Sequence, residues 1–109
     1  MRKIERLVID LTKEDNDQLR EFKKALFERS CLEPLVRTII ADTAIPMERV
    51  TSAMSELATR ATNAEIIRQE LVRKYRPDKF LDIMHFDIDT NNDKLIICGE
   101  VEVGDYDGN

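Results

Sequence analysis

The rhythm of apolar residues predicts an α+β fold: three or four helices with a small antiparallel sheet, the sheet made of an N-terminal strand and a C-terminal β-hairpin. Three observations predict it. Residues 4 to 11 alternate, apolar residues recur at three-four spacing from Leu19 to Tyr75, and alternation returns from Leu81 onward. At 109 residues, 42% apolar and 36% charged, the chain has the length and composition of one globular domain. Its expected organisation is a single compact domain over residues 1–103 with a frayed acidic tail over 104–109.

The first strand places Leu7, Ile9 and Leu11 on one face and Asp10 on the other. Thr12 before Lys13, Glu14 and Asp15 reads as a helix N-cap followed by acids that suit the helix dipole. Leu19, Phe22, Leu26 and Phe27 give that helix its apolar stripe. Ser30-Cys31-Leu32-Glu33 has the pattern of a capping box, and Pro34 after it fits a first helical turn, so a second helix is predicted there. Pro46 suits the start of another. From Met47 the spacing runs through Val50, Met54, Leu57, Ala61, Ala64, Leu71 and Tyr75, with Arg68 in a core-type position. Thr62-Asn63-Ala64-Glu65 is a second capping-box pattern, so this stretch reads either as one helix or as two, ended by Pro77. Met84, Phe86 and Ile88 alternate with His85, Asp87 and Asp89. Turn residues Thr90 to Asp93 follow, and then a strand with Leu95, Ile97, Val101 and Val103 on one face, Gly99 marking a bulge.

Charge is divided along the chain. Residues 1–79 carry 16 Lys+Arg against 14 Asp+Glu, whereas residues 80–109 carry Lys94 alone against eight acids. The apolar runs are far too short for a membrane span, and Arg2 and Lys3 lead into Glu5 and Arg6 rather than an apolar segment, so a cytoplasmic location is expected. Cys31 and Cys98 form no metal-ligand spacing and are expected as small buried apolar residues.

No catalytic, metal or cofactor residue is predicted. Asp87 to Asp93 opens like a calcium loop, but counting from Asp87 puts Cys98 at the position that needs a bidentate carboxylate, and counting from Asp89 puts Lys94 at the sharp turn. His85, the only histidine, shares a strand face with Asp87 but has no nucleophile in a recognised arrangement beside it. The strand-helix-helix-helix-hairpin order resembles winged helices. As a DNA-binding regulator such a domain would use Arg49, Arg60, Arg68, Arg73 and Lys74, yet the would-be wing is acidic, which ranks nucleic acid below protein as a partner.

Leu26-Phe27-Glu28-Arg29 with Leu32, Arg73-Lys74-Tyr75, and Phe86-Asp87-Ile88-Asp89-Thr90 running into Leu95-Ile96 together resemble the small accessory proteins of bacterial CXXX-repeat peptide modification systems. Those proteins have helices followed by a terminal hairpin and accompany radical-SAM peptide maturases. The tryptophans of that family have no counterpart in this chain. The resemblance implies a peptide- or enzyme-binding accessory with no catalytic residue.

The functional expectation is therefore a non-enzymatic protein- or peptide-binding adaptor. Arg68, Arg73 and Tyr75 are its first candidate contacts, because exposed Arg and Tyr dominate interface energetics, and Asp87, Asp89 and Asp93 are its second. An extended peptide can add a strand to the edge of the sheet, here sought along Ile97 and Val101. A phage-type inhibitor offering carboxylates in place of phosphates is a further binding-class option, and the heptad-like spacing permits a homodimer.

Overall fold

The computed structural model describes residues 1–104, so the predicted tail lies outside the described residues from 105 onward. Five elements follow in order: β1 (Arg2–Asp10), α1 (Asn16–Ala41), α2 (Met47–Tyr75), β2 (Phe80–Asp89) and β3 (Lys94–Glu102). The class is α+β, but with two helices, not the three or four predicted, which also removes the winged-helix arrangement. Both extra helix starts were read from capping boxes that the structure places inside continuous helices. Glu33 accepts from Arg29 at 3.1 Å and faces Arg37 at 3.7 Å, one turn to either side, so α1 runs through Pro34 with Glu33 bound along the helix instead of turned back to cap it. Between Met47 and Tyr75 there is no glycine or proline to stop propagation. The Thr59 hydroxyl donates to the Ser55 carbonyl at 3.0 Å, the back-bonding that lets a hydroxyl residue sit within a helix.

α1 also begins later than the Thr12 cap predicts. The Thr12 N–H and hydroxyl both donate to Asp10 Oδ1, at 2.9 and 2.6 Å, which occupies the hydroxyl and holds the Asp10 carboxyl down at about 2, with Lys94 assisting. Asp15 N–H donates to the Leu11 carbonyl, and the helix starts at Asn16.

The described residues fall into two compact units, Asp17–Ile67 and a second built from Met1–Asn16 and the chain from Arg68 onward. In the first unit Leu19, Phe22, Ala25, Val36 and Ala64 are buried, and the Arg60 guanidinium lies 2.7 Å from Glu28 on the other helix. Phe27, predicted for the apolar stripe, is 70% exposed, and Cys31 is exposed while Cys98 is half-buried, so neither cysteine is a core residue. No helix among the described residues is long and apolar enough to cross a membrane.

The second unit holds the sheet, with strand order β1-β3-β2 and all pairs antiparallel. β3 is central, so Ile97 and Val101 lie in the middle of the sheet and its edges are β1 and β2. Leu95, Ile97 and Val101 alternate on the buried face, joined there by Phe80 and Ile88 of β2. The bulges are on β2, between Phe80 and Asp82 and between Ile83 and His85, not at Gly99; the second turns Met84 out of the predicted row, leaving it 52% exposed.

Gly99 has a different reason to be there. The Phe80 ring lies across it, and a Cβ at this position would meet Phe80 Cγ at 2.7 Å and the Asp82 carbonyl oxygen at 2.9 Å. Phe80 is itself 3% exposed and cannot swing into solvent cheaply. Gly99→Ala is therefore expected to cost about 1–3 kcal/mol in a denaturant melt. The same substitution made on Phe80→Leu should cost less, since the two residues compete for one volume. Equal costs in the two backgrounds would show that the Phe80 ring is not what excludes a side chain at Gly99.

Candidate functional site

Two features of the sheet-containing unit gather polar side chains: a buried carboxylate where α1 begins, and a concavity between the last turns of α2 and β2. The buried group is Asp15, with 0% exposure. Its Oδ1 accepts from Lys74 Nζ at 2.7 Å and its Oδ2 from the Tyr75 hydroxyl, so consecutive residues at the end of α2 bind opposite oxygens of one carboxylate. Glu14 Oε2 stands 4.0 Å from the same Lys74 nitrogen, and the ammonium lies 5.0 Å from the centre of the Tyr75 ring. The hydrogen bond to Asp15 raises the pKa of Tyr75, with burial adding to it, and the bond from Lys74 raises the lysine in the same way. Tyr75, predicted as a contact for a partner, is thus bound to its own chain. Asp15 was missed because Glu14, Asp15 and Asp17 around a helix start look alike in sequence, and only burial tells them apart.

The concavity encloses about 330 Å³ and is lined by Gln69, Val72, Arg73 and Arg76 of the α2 end and by Ile83 and Phe86 of β2. Helical spacing puts Gln69, Val72, Arg73 and Arg76 on one face, and the bulge after Ile83 sets Ile83 and Phe86 on the same side of β2. Arg76 Nη2 donates to the carbonyls of Phe80 and Leu81, at 3.2 and 3.4 Å, which fixes its guanidinium at the rim. Arg73 is exposed and pairs with no acid among the described residues. Arg68, one turn back, stacks its guanidinium over the Phe86 ring at 4.7 Å and reaches Asp87 Oδ1 at 3.5 Å. The wall opposite Arg73 is thus aromatic and held by a cation already neutralised.

The predicted contacts therefore separate into two groups. Arg68, Arg73 and Asp87 come together around Phe86. Asp89 is spent in the hairpin turn, where it accepts from the N–H groups of Asn91 and Asn92 and from the Asn92 amide at 2.7 Å, bonds that lower its pKa. Asp93 adopts the left-handed conformation with φ 57°, and its carbonyl accepts from Leu11 N–H at 3.0 Å. Of the residues named for nucleic acid, Arg60 is held by Glu28 and Glu56, Lys74 by Asp15 and Arg68 by Asp87. That leaves Arg73, and Arg49 in the other unit, where it lines a separate concavity with Ile39, Ile45 and Glu56. His85 is exposed opposite Cys98. The chain matches no family model, no curated protein and no solved structure.

The Asp15 contacts carry a pH signature. Both Tyr75 and Lys74 hold their protons more tightly folded than unfolded, so the stabilisation is complete below about pH 10 and is lost as pH rises through the raised values. Tyr75→Phe leaves one oxygen of a buried carboxylate unpaired and is expected to cost about 1–3 kcal/mol at neutral pH. Asp15→Asn should also flatten the loss of stability between about pH 10 and 12, followed by thermal melts, because neither neighbour then has a carboxylate to prefer. An alkaline limb unchanged in Asp15→Asn would mean that other groups set it.

Proposed function

We infer that the chain is a protein- or peptide-binding module without chemistry of its own, and that it takes an acidic segment of its partner in the concavity between α2 and β2. The observation that carries this reading is the pair of guanidinium groups, Arg73 and Arg76, beside the apolar wall of Phe86 and Ile83, with no carboxylate among the lining residues. A carboxylate entering there meets a forked donor already positioned by the backbone of β2, while the apolar part of its side chain covers the Phe86 ring. A protein segment fits better than nucleic acid, because most of the cations that would track phosphates are held by internal acids. In terms of the resemblance noted above, the segment would belong to the modified peptide or to its maturase.

Fluorescence anisotropy with labelled polyglutamate, polylysine and a DNA duplex tests the reading. Polyglutamate is expected to bind in a salt-sensitive manner. Arg73→Ala should weaken it roughly tenfold and Arg73→Glu should abolish it, with Arg49→Ala as the control that changes little. Duplex binding tighter than polyglutamate, or polyglutamate binding indifferent to Arg73→Glu, would overturn the proposal.

A further inference from the structure

The two edges of the sheet are treated differently. β2 is interrupted by two register shifts, and Arg76 occupies the carbonyls of Phe80 and Leu81, devices that blunt an edge against pairing. β1 has neither. It pairs with β3 in unbroken register from Arg2 to Asp10, and among the described residues no other strand lies beside it.

Which backbone groups β1 leaves free follows from the bonds at its two ends. Val103 N–H donates to the Met1 carbonyl at 2.8 Å and Leu11 N–H to the Asp93 carbonyl at 3.0 Å, both in the β1·β3 register. Hydrogen-bonded and non-hydrogen-bonded pairs alternate in an antiparallel ladder, so odd-numbered residues of β1 spend their groups on β3. Arg2, Ile4, Arg6, Val8 and Asp10 direct theirs outward. The side chains of these five share the sheet face opposite the buried one, where Ile4 is 62% and Val8 47% exposed.

That face reads basic, apolar, basic, apolar, acidic, and it complements itself when reversed. We propose that β1 pairs antiparallel with β1 of a second copy about a two-fold axis at Arg6, joining two three-stranded sheets into one of six strands. Even-numbered residues then meet even-numbered ones, so each of these pairs can exchange both of its outward N–H and C=O groups. Ile4 packs against Val8 of the partner subunit, and Arg2 lies opposite Asp10 of the partner subunit, each contact occurring twice by symmetry. Moving the axis to Glu5 sets Arg2 against Val8 of the partner subunit, and moving it to Leu7 sets Ile4 against Asp10 of the partner subunit; both lose the matches. On this face the one mismatch in the favoured register is Arg6 against Arg6 of the partner subunit, and it supplies the sharpest test.

Sedimentation velocity from about 1 to 100 μM should show a species of twice the chain mass. Val8→Pro removes an N–H that the β1·β3 ladder does not use, so it should weaken the dimer at least tenfold in protein whose circular dichroism is unchanged. Arg6→Thr removes the like-charged pair and should tighten the dimer roughly fivefold. A wild-type chain that stays monomeric throughout, or a dimer that persists in folded Val8→Pro, overturns the proposal. Should Val8→Pro fail to fold, Arg6→Thr decides alone: tightening supports this register, and an unchanged or weaker dimer refutes it. Binding of polyglutamate is a separate readout, so failure at one surface is distinguishable from failure at the other.

Discussion

A carboxylate with no exposed surface, bound at one oxygen by an ammonium and at the other by a phenol, is the constraint around which the sheet-containing unit is arranged. Desolvating Asp15 costs several kcal/mol unless both oxygens are satisfied, and one charge-assisted bond alone would not offset it. Lys74 and Tyr75 are adjacent in sequence and leave α2 at its last turn. Only that turn, in that rotation, brings both side chains to the same carboxylate. The contact therefore fixes where α2 ends against the entry to α1, and through Pro77 it sets where β2 can begin.

From that anchor the placement of Arg68 and Arg73 follows. Val72 and Leu71, in the same turns, are buried, which commits the apolar side of the helix end. Gln69, Arg73 and Arg76 are left to line the concavity on β2. The register of β2 is then adjusted by bulges, not by moving the helix. The bulge after Ile83 is what keeps Ile83 and Phe86 on one side, three residues apart where a regular strand would demand two or four. Gly99 takes part in the same adjustment, since the Phe80 ring can lie flat over β3 only where the central strand has no side chain.

Much of this was legible in the sequence where a single periodicity decides. The strand period of β3, the hairpin turn, the N-terminal strand and the helical spacing from Met47 to Tyr75 all carry the pattern that burial demands. The errors come from local motifs judged without their surroundings. Ser30 to Glu33 and Thr62 to Glu65 have the residues of a capping box, but a box caps only if the chain stops propagating, and in α1 Glu33 is instead paired along the helix with Arg29 and Arg37. Met84 looked like a core residue because alternation was counted through a bulge that leaves no mark in composition. Arg68 was legible as an anomaly, a cation in a core-type position, and stacking on Phe86 explains how it is tolerated. Asp15 could not be found, since its role is a long-range contact spanning 59 residues to Lys74.

Charge behaves similarly at the level of the whole chain. The C-terminal stretch from residue 80 carries most of the net negative charge, but Asp87 is paired with Arg68 and Asp89 is held by turn N–H groups. An exposed guanidinium beside an aromatic ring offers both charge and contact area to an incoming acid. Net charge thus does not describe the local charge of this surface. That local charge is set by which side chains the fold leaves unspent, and at the α2 and β2 concavity it is the exposed Arg73 guanidinium.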